Sequence, residues 1–212
     1  MPAHSDFRDS GAIALLLIVS GCAGGNCRPV SDTPVRIGRT YVVRGTTYVP
    51  AAAPAYEALG YASWYGTESG NRTANGERFR PKWITAAHTT LPLPTYVEVT
   101  ALDTGRRIIV RINDRGPFVA GERIIDLSRG AAGQLGIKEQ GHAPVRVRRV
   151  EPSEKDRARL RAGKPAGPLE PLRLSELEEL RAQFASMIDR TSKIANIRGR
   201  QLRGSDFGHQ GN

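Results

Sequence analysis

The sequence has few of the side chains that build disulfide frameworks and metal centres. It contains two cysteines and four histidines in 212 residues, and two thiols can close at most one disulfide. No group of His, Cys and Asp residues has the spacing of a ligand set. The composition therefore excludes a disulfide-rich scaffold, and we predict that the protein uses no metal and no other cofactor.

A hydrophobic run long enough to cross a membrane is also missing. The apolar stretch at residues 11–19 is shorter than the about 20 residues that span a bilayer. It ends in Val19-Ser20-Gly21-Cys22, and a short apolar segment followed by small residues is typical of an export signal. The cysteine in the last position resembles bacterial lipoprotein signals, in which the chain is cut before a thiol that becomes acylated.

This resemblance predicts a signal peptide over residues 1–21 and a lipid on Cys22, which would anchor the protein to a membrane of the cell envelope. Ala23 follows the cysteine, which favours the outer over the inner membrane, with the protein facing the periplasm. The alternative is an ordinary secretory signal with an incidental cysteine. Cys27 is then unpaired in a flexible tether, and its fate is left open.

Acidic residues are outnumbered. The chain has 31 Lys and Arg against 21 Asp and Glu, a net charge of +10. Residues 60–150 hold 14 basic and 8 acidic side chains, so +6 of this excess lies there. A basic fold favours a polyanionic partner, which for an exported protein is the anionic cell wall or lipid headgroups rather than nucleic acid. The alternative is a solvated surface that only keeps the protein soluble.

Length and turn signals predict one domain with tails. Residues 22–59 form a tether that carries a short hairpin over residues 39–48. Residues 60–150 hold the domain, in which alternating β-branched runs predict strands. These runs are residues 96–99, 108–112, 123–125 and 145–147. Ser128 is expected to cap a short helix that stops at Gly136, so the composition predicts a mainly β protein, a small barrel with a minor helix.

Residues 151–212 differ in character from the domain. Charges alternate with Gly and Pro over residues 151–170, which we expect to be an unstructured linker. Apolar residues recur at three- and four-residue steps over residues 172–194 and predict an amphipathic helix, with Ser175 and Glu178 as a capping box. Such a helix docks on the barrel, self-associates or stays loose. The remaining tail, rich in Gly and Arg, is expected to be disordered.

Side chains that handle protons occur where the predicted strands give way to loops. The motifs are Gly60-Tyr61-Ala62-Ser63-Trp64-Tyr65-Gly66, Thr73-Ala74-Asn75-Gly76-Glu77, Thr85-Ala86-Ala87-His88, Leu91-Pro92-Leu93-Pro94-Thr95-Tyr96-Val97, Val110-Arg111-Ile112-Asn113-Asp114-Arg115-Gly116-Pro117-Phe118 and Ile124-Ile125-Asp126-Leu127-Ser128. Loops on a rigid scaffold are where chemistry tends to be done. Residues that only build the core would not be expected to be Glu, His and Asp at these positions.

These motifs closely resemble the rare lipoprotein A family of septal-ring lytic transglycosylases, in order and over most of residues 60–150. The resemblance implies a double-psi β-barrel, a fold shared with expansins and barwin-like proteins. It implies that the bond between MurNAc and GlcNAc in peptidoglycan, preferably stripped of stem peptides, is cut without water and leaves a 1,6-anhydroMurNAc end. Many members end in a peptidoglycan-binding SPOR domain, and residues 151–212 are too short, charged and helical for one.

Two other functions are weighed against lytic cleavage. An expansin-like lipoprotein would bind peptidoglycan and loosen the wall without cutting it. Glu77 and His88 argue against this alternative, because a pure binder has less need of them. A scaffold, in contrast, would use the helix over residues 172–194 to recruit a septal partner protein.

The resemblance places the acid–base work on aspartates. A departing glycosidic oxygen needs a proton, and Asp114, which ends a strand before a Gly-Pro turn, is our first choice for an acid that later acts as base. Asp126 competes, because Ile-Ile-Asp-Leu-Ser resembles an expansin motif whose aspartate is required for wall loosening. The structural alternatives are a turn cap for Asp114 and a tether at the helix start for Asp126. Which aspartate donates the proton is left open.

Four other site residues have structural alternatives. Glu77 is assigned to catalysis, where it could stabilise positive charge at C1 or hold a 2-substituent of the sugar. His88 could tune a carboxyl or bind the substrate, although a lone histidine is more often structural. Trp64 and Tyr65 offer a flat apolar surface on which a sugar ring could stack, although aromatic residues in a small barrel more often belong to its core.

Asn113 and Arg115 complete the predicted substrate site, and Arg115 could bind a muramyl carboxylate. A cation close to a carboxyl lowers its pKa, which conflicts with an acid at Asp114. We therefore expect Arg111 and Arg115 to point to solvent or to the substrate.

Overall fold

The computed structural model describes residues 29–66, 70–118 and 122–205, with the backbone alone for residues 196–205. The expected signal peptide, Cys22, Cys27 and residues 206–212 of the expected tail lie outside these ranges. None of the helices in the described part of the chain is both long and apolar enough to cross a membrane.

The predicted hairpin precedes the barrel. Strands β1 (Tyr41–Val43) and β2 (Thr46–Tyr48) pair antiparallel. Arg44 and Gly45 between them both have positive φ, 50° and 79°, as in the two-residue turns whose twist matches that of paired strands. The prediction of a hairpin over residues 39–48 is confirmed.

Six strands close into a barrel. They are β3 (Glu57–Tyr65), β4 (Thr85–Ala87), β5 (Thr95–Ala101), β6 (Arg107–Asp114), β7 (Arg123–Ser128) and β8 (His142–Arg149). The order around the barrel is β3-β7-β4-β6-β5-β8, and β8 pairs with β3 to close it. The β3–β7 and β4–β6 pairs are parallel and the others antiparallel. The predicted mainly β fold with a small closed barrel is confirmed.

The core fills the interior of this barrel. Its fully enclosed side chains come from every long strand and include Ala62, Val97, Val99, Val110, Ile112, Ile125, Leu127, Val145 and Val147. β-Branched side chains suit this role because they pack well on a pleated surface. Closure of the sheet leaves no strand edge exposed, so the barrel is a rigid base for the loops at its ends.

Helix α1 (Arg129–Leu135) follows β7 directly. The Ser128 Oγ accepts the Ala131 N–H at 3.1 Å, and the helix stops at Gly136, whose φ is 88°. A left-handed residue at this position is usually glycine because a Cβ is unfavourable there. Both predicted boundaries of this helix are confirmed.

The segment after the barrel contains a helix that the sequence analysis did not predict. Helix α2 (Glu154–Arg161) begins after Ser153, whose Oγ accepts the Asp156 N–H at 3.2 Å. The expectation of an unstructured linker over residues 151–170 is therefore wrong at α2. Its charged residues show no apolar period, and the helix instead depends on Leu160, which is buried against the barrel core.

The last helix, α3 (Leu174–Ser205), continues beyond the predicted end at residue 194. Part of the tail that was expected to be disordered is therefore helical. Leu177 and Leu180 are buried against Leu102 at the turn between β5 and β6. Of the three arrangements considered for this helix, docking on the barrel is the one observed.

The start of α3 differs from the predicted capping box. Ser175 lies inside the helix rather than before it. The N–H of Arg173 instead donates to the Glu176 carboxylate at 3.4 Å. The predicted pairing of Ser175 with Glu178 is therefore wrong, although the apolar period located the helix.

Residues 29–37, which were assigned to a flexible tether, lie on the barrel. Arg36 and Leu93 form a β-bridge with two backbone hydrogen bonds of 2.8 Å. The Val30 N–H donates to the carbonyl of Arg161 at the end of α2, at 3.0 Å. This part of the tether is therefore attached to the domain at two places.

Candidate active site

Two aspartates lie on the strands that flank β4 at one end of the barrel. In the parallel β4–β6 pair Ala87 is opposite Asp114, and in the antiparallel β4–β7 pair Ala87 is opposite Asp126. The register therefore places both carboxylates one strand away from a residue whose side chain is a single methyl group. The sequence named both aspartates, and the fold brings them together across strands that are not consecutive.

A cleft of about 280 Å³ opens between them. It is lined by Tyr65, Arg72, Ala87, Asp114, Arg115, Gly116, Phe118 and Asp126. Gly116 has a φ of 142°, a backbone conformation that residues with a side chain rarely adopt, which explains the glycine in this wall. Of the predicted site residues, Asp114, Asp126, Tyr65 and Arg115 line the cleft. Glu77, His88, Asn113 and Trp64 do not line it.

Asp114 is held by backbone groups through one carboxylate oxygen. Its Oδ1 accepts the N–H groups of Ala74 and Arg115, each at 2.8 Å. Its Oδ2 makes no hydrogen bond to a described residue. Burial raises the pKa of Asp114, and the two hydrogen bonds and the Arg115 charge lower it only in part, so the pKa stays above the ordinary 3.8. The turn cap and an acid role are thus compatible, one oxygen serving each.

Asp126 is held by side chains instead. Its Oδ1 accepts from the Ser63 Oγ at 2.6 Å, and its Oδ2 lies 3.6 Å from the Arg123 Nη2. Burial raises the pKa of Asp126, and Ser63 and Arg123 offset this in part. Ser63 belongs to a motif that the sequence singled out, yet it was given no role of its own.

The Tyr65 hydroxyl is enclosed close to both aspartates. Its ring stacks on Phe79 with the centroids 4.8 Å apart. Burial raises the pKa of this phenol, and the charges of Asp114 and Asp126 raise it further. Within the described residues the hydroxyl has no hydrogen-bond partner. Leaving such a group unpaired costs about 1–3 kcal/mol, so the hydroxyl is placed to bind a polar group that enters the cleft.

Glu77 lies outside the cleft in a network of buried polar groups. Its Oε2 accepts from Arg111 Nη1 and Asn113 Nδ2, each at 2.8 Å, and its Oε1 accepts from Asn75 Nδ2 at 2.9 Å. Through these hydrogen bonds Glu77 and Asn113 hold the loop at Asn75, beside the cleft. The catalytic role of Glu77 and the binding role of Asn113 stay predictions.

Arg111 belongs to the same network. It is fully buried, and its Nε donates to the Asp32 Oδ1 at 2.9 Å and its Nη2 to the Ser31 carbonyl at 2.7 Å. The expectation that Arg111 points to solvent or substrate is therefore wrong. The sequence analysis missed Asp32 because this partner comes from the tether, far away in sequence.

The Arg115 guanidinium binds backbone carbonyls at the edge of the cleft. Its Nη1 donates to Leu91 at 2.6 Å and to His88 at 3.2 Å, and its Nη2 donates to Ile37 at 2.9 Å. Arg115 was expected to point to solvent or to the substrate, and it does line the cleft, although three carbonyls engage part of its guanidinium. Its binding of a muramyl carboxylate stays a prediction that this geometry does not favour.

His88 is a buried neutral residue. Its Nδ1 accepts the N–H groups of Thr90 and Leu91, each at 3.1 Å, so the ring proton is on Nε2, 2.9 Å from the Tyr56 hydroxyl. Burial and, to a smaller extent, the Arg115 charge lower the pKa of His88 to about 4. This geometry favours the structural alternative, and a catalytic role for His88 stays a prediction.

The remaining aromatic residues divide between the core and the cleft. Trp64 packs on the barrel core, and its Nε1 donates to the Lys138 carbonyl at 3.1 Å, as in the structural alternative. Phe118, which the sequence did not single out alone, lines the cleft. It contacts Tyr41 and Tyr48 of the hairpin edge-on, at 6.0 and 5.6 Å. The hairpin therefore supports one wall of the cleft, a role that its two tyrosines could have suggested.

Taken together, the cleft offers two carboxyl groups that favour the protonated form more than ordinary aspartates do. It also offers an unpaired hydroxyl and an aromatic wall. Such a set can donate a proton to a ligand and take one back. Among the described residues, no three His, Cys, Asp or Glu side chains cluster as a metal site would require.

The family described as Lytic transglycolase, a double-psi β-barrel family, matches residues 57–147. The match begins at the first residue of β3 and ends within β8, so it covers the closed barrel. The fold is therefore that of a double-psi β-barrel protein, and the predicted double-psi topology is confirmed.

Curated relatives specify the family further. The protein named Endolytic peptidoglycan transglycosylase RlpA of Pseudomonas aeruginosa is 46% identical over 157 residues, 73% of this chain and 44% of that protein. The protein of the same name from Neisseria meningitidis serogroup A is 47% identical over 118 residues, 55% of this chain and 49% of that protein. The chain belongs to the rare lipoprotein A family. It spans less than half the length of these two relatives.

Two solved structures match this chain with low TM-scores and low sequence identity. The Streptomyces papain inhibitor has a TM-score of 0.38 and 22% identity, covering 45% of this chain and 96% of the inhibitor. A mutant expansin of Clavibacter michiganensis in complex with cellohexaose has a TM-score of 0.36 and 19% identity, covering 46% of this chain and 52% of the expansin. Neither similarity is strong enough to bear on function.

Proposed function

We propose that the protein is a lytic transglycosylase that cleaves the MurNAc–GlcNAc bond of peptidoglycan glycan strands, preferably those stripped of peptides. One observation carries the proposal. Asp114 and Asp126 lie on either side of Ala87 and line one cleft, and burial raises the pKa of both. The name shared by the relatives, which states endolytic transglycosylase activity on peptidoglycan, supports the same reaction.

The reaction needs one proton delivered and one removed. A protonated carboxyl donates its proton to the glycosidic oxygen while the bond from that oxygen to C1 of MurNAc breaks. The 6-hydroxyl of the same MurNAc then bonds to C1 and gives its proton to the carboxylate. The carboxyl is restored, no water is consumed and a 1,6-anhydroMurNAc end remains, so one residue can act first as acid and then as base.

We assign the acid–base role to Asp114. Its Oδ2 makes no hydrogen bond to a described residue and is available to a substrate oxygen. Asp126 has Ser63 on one oxygen and Arg123 near the other, which favours a carboxylate that orients the sugar or stabilises positive charge at C1. The network around Glu77 fixes Asn75, whose neighbour Ala74 donates to Asp114, so Glu77 acts as a positioning residue.

Product analysis tests this proposal. Purified protein is incubated with peptide-free glycan strands, and the products are separated and weighed by mass spectrometry. We expect new anhydroMurNAc ends from the native protein and a loss of at least about a hundredfold in rate for Asp114→Asn, within the usual range for general acid–base catalysis. Asp103→Asn, which changes an exposed carboxylate away from the cleft, is the matched control.

Each result has a clear meaning. Hydrolytic ends without the anhydro ring would contradict transglycosylation. Binding to the strands without any new ends would support the expansin-like alternative instead. Full activity in Asp114→Asn together with inactivity in Asp126→Asn would reverse the two assignments.

We also propose that Cys22 carries the lipid and that the protein is anchored in the envelope, in the outer membrane and facing the periplasm. The short apolar segment before Cys22 and the alanine after it support this location. Metabolic labelling with an alkyne-tagged palmitate should mark the native chain and not Cys22→Ala. Labelling of Cys22→Ala to the same extent would contradict the anchor.

We propose that a septal partner binds α3 through apolar side chains that the barrel leaves exposed. Leu174 and Ile194 are 76% and 54% exposed on this helix, whereas Leu177 and Leu180 are already used in docking. Leu174→Ser with Ile194→Ser should reduce septal localisation and leave cleavage of purified strands unchanged. Unchanged localisation would eliminate these two side chains as the recruiting contacts.

A further inference from the structure

A second groove, of about 910 Å³, lies beside the cleft. Its lining includes five cationic side chains, Arg78, Arg80, Lys82, Arg129 and Lys138, and no acidic one. We call this surface the basic groove. Five of the fourteen basic residues of the segment 60–150 therefore line a single surface.

The exposed cations of the basic groove have few partners among the described residues. Within the described residues, Arg78, Lys82 and Arg129 form neither an ion pair nor a side-chain hydrogen bond. Lys138 approaches only Glu139, at 3.4 Å, and the Glu139 side chain is 91% exposed. Ion pairs within the described residues therefore do not explain why these charges cluster.

The opposite situation occurs elsewhere on the barrel. Arg107, Arg146 and Arg148 surround the buried Glu98 carboxylate at 2.6, 3.0 and 3.1 Å. That cluster is partly neutralised from within and has a structural role. Like charges gathered without such a counter-ion repel one another, which favours an anionic ligand at the basic groove.

One cation of the basic groove is built into its wall. The Arg80 guanidinium lies 4.3 Å from the ring centroid of Trp83. Its Nη1 is enclosed and makes no hydrogen bond to a described residue. A Cβ on Gly163 would come within 2.3 Å of the Trp83 ring, so this glycine lets the backbone press against the ring and fix it. The wall thus contains a fixed donor that lacks an acceptor among the described residues.

The walls of the basic groove and of the cleft are in contact. Phe79 of the basic groove stacks on Tyr65 of the cleft. Arg72 of the cleft and Arg78 of the basic groove form a β-bridge. A chain that leaves the cleft over the Tyr65–Phe79 pair therefore runs onto the cations.

We infer that the basic groove is a subsite for the glycan strand, in which its cations pair with carboxylates carried by the sugars beyond the cleft. The inference rests on the proposed function. The cleft volume of about 280 Å³ lies just below the about 300–1,000 Å³ that is usual for ligand sites, so a polymer must extend past it. Once peptides are removed, each muramic acid exposes a free lactyl carboxylate, and the anions then recur at every second sugar.

A binding experiment with two forms of one polymer tests the subsite. The probes are peptide-free glycan strands and the same strands after their carboxylates are converted to neutral amides. Binding to the full chain is measured by co-sedimentation or fluorescence anisotropy, in the Asp114→Asn background so that the strands stay intact. We expect the acidic strands to bind about tenfold more tightly than the amidated ones at low salt, with the difference shrinking as salt screens the charges.

A charge-matched pair of variants locates the effect. Arg78→Gln, Lys82→Gln and Arg129→Gln together should abolish the preference for acidic strands. Arg39→Gln, Lys155→Gln and Arg190→Gln remove the same charge from exposed positions elsewhere and should preserve it. All six residues are exposed, so both triple variants should keep the native melting temperature.

The outcomes separate this inference from the proposed function. Loss of the preference in the first triple variant supports the subsite even if no cleavage is ever detected. Equal binding of acidic and amidated strands by the parent, or an undiminished preference in the first triple variant, overturns it even if the strands are cleaved. Binding to anionic-phospholipid vesicles is measured with the same variants. If the first triple variant loses binding to the vesicles but binds the strands as before, the inference is overturned and the basic groove is assigned to the membrane.

Discussion

Three aspartates of this protein show how local contacts set the chemistry of one residue type. Burial raises the pKa of Asp114 and of Asp126, because their few hydrogen bonds and neighbouring cations do not compensate for lost solvation. Burial also acts on Asp32, but hydrogen bonds from Tyr96, Arg161 and Arg111 outweigh it and lower its pKa. The raised pKa of Asp114 and Asp126 makes them suitable for proton transfer, whereas the lowered pKa of Asp32 keeps its carboxylate charged.

The raised pKa of Asp114 predicts the direction of the pH profile. A general acid works in its protonated form, so kcat/KM should fall as pH rises through a pKa above the ordinary 3.8. Rates on peptide-free strands, measured from about pH 3 to pH 8, check this expectation. The falling limb should disappear in Asp114→Asn and persist in Asp103→Asn. A limb centred at or below the ordinary aspartate value would contradict a buried acid.

Tyr65 supports a prediction that separates function from stability. Because its hydroxyl has no partner within the described residues, Tyr65→Phe should not lower the melting temperature. If the hydroxyl binds the substrate, kcat/KM should fall by about two- to tenfold, the equivalent of one hydrogen bond. Tyr61→Phe, whose ring packs on Phe184 and His142, is the control. Unchanged kinetics in Tyr65→Phe would restrict the ring to packing.

At the scale of elements, the tether becomes part of the domain through one carboxylate. The Asp32 Oδ1 accepts from Arg111 of β6, and its Oδ2 accepts from Arg161 of α2 and Tyr96 of β5. The Arg111 side chain is 1% exposed, so it could not remain charged in the barrel without such partners. Asp32 thus joins the tether, two strands and a helix.

The lowered pKa of Asp32 gives this junction a pH dependence. A carboxyl with a depressed pKa in the folded state stabilises the protein above its unfolded pKa of about 3.9, and this contribution is lost as pH falls through the folded value. Asp32→Asn should therefore reduce the free energy of unfolding at neutral pH by about 1–3 kcal/mol. The difference from the native protein should shrink towards low pH in urea titrations. A difference that is constant with pH would contradict the ionic role of Asp32.

Helices α1 and α2 illustrate which elements local sequence can reveal. The start of α1 was predicted because Ser128 precedes a short apolar period and Gly136 follows it. Helix α2 lacks such a period and buries only Leu160. Its capping signal, Ser153 followed by Asp156, was present in the sequence. That local signal would have located α2, whereas the apolar pattern could not.

For the whole molecule, the motifs identified the fold and most of the cleft, while partners distant in sequence decided the rest. Asp114, Asp126 and Tyr65 were predicted and line the cleft. Arg111 was misplaced because a charged residue on a strand is normally exposed, and only Asp32 explains its burial. Contacts of this kind join segments that are far apart in the chain, and no local pattern specifies them.

The arrangement of the whole molecule also predicts what can be removed. Helix α3 packs on Leu102 and Leu59, and none of its residues lines the cleft. A chain that ends before residue 172 should therefore keep its cleavage rate on peptide-free strands within about twofold, since distant sites usually act independently. Its melting temperature should fall, because Leu102 loses the contacts that Leu177 and Leu180 provide.

Two controls make this truncation informative. Removing only residues 206–212 should change neither the melting temperature nor the rate. Leu102→Ser in the truncated chain should improve its solubility, since the surface that α3 normally covers would no longer be apolar. A truncated chain that folds, as judged by a cooperative melting transition, yet cleaves nothing would mean that α3 contributes to the site, and the cleft at the end of the barrel would then be only part of the catalytic surface.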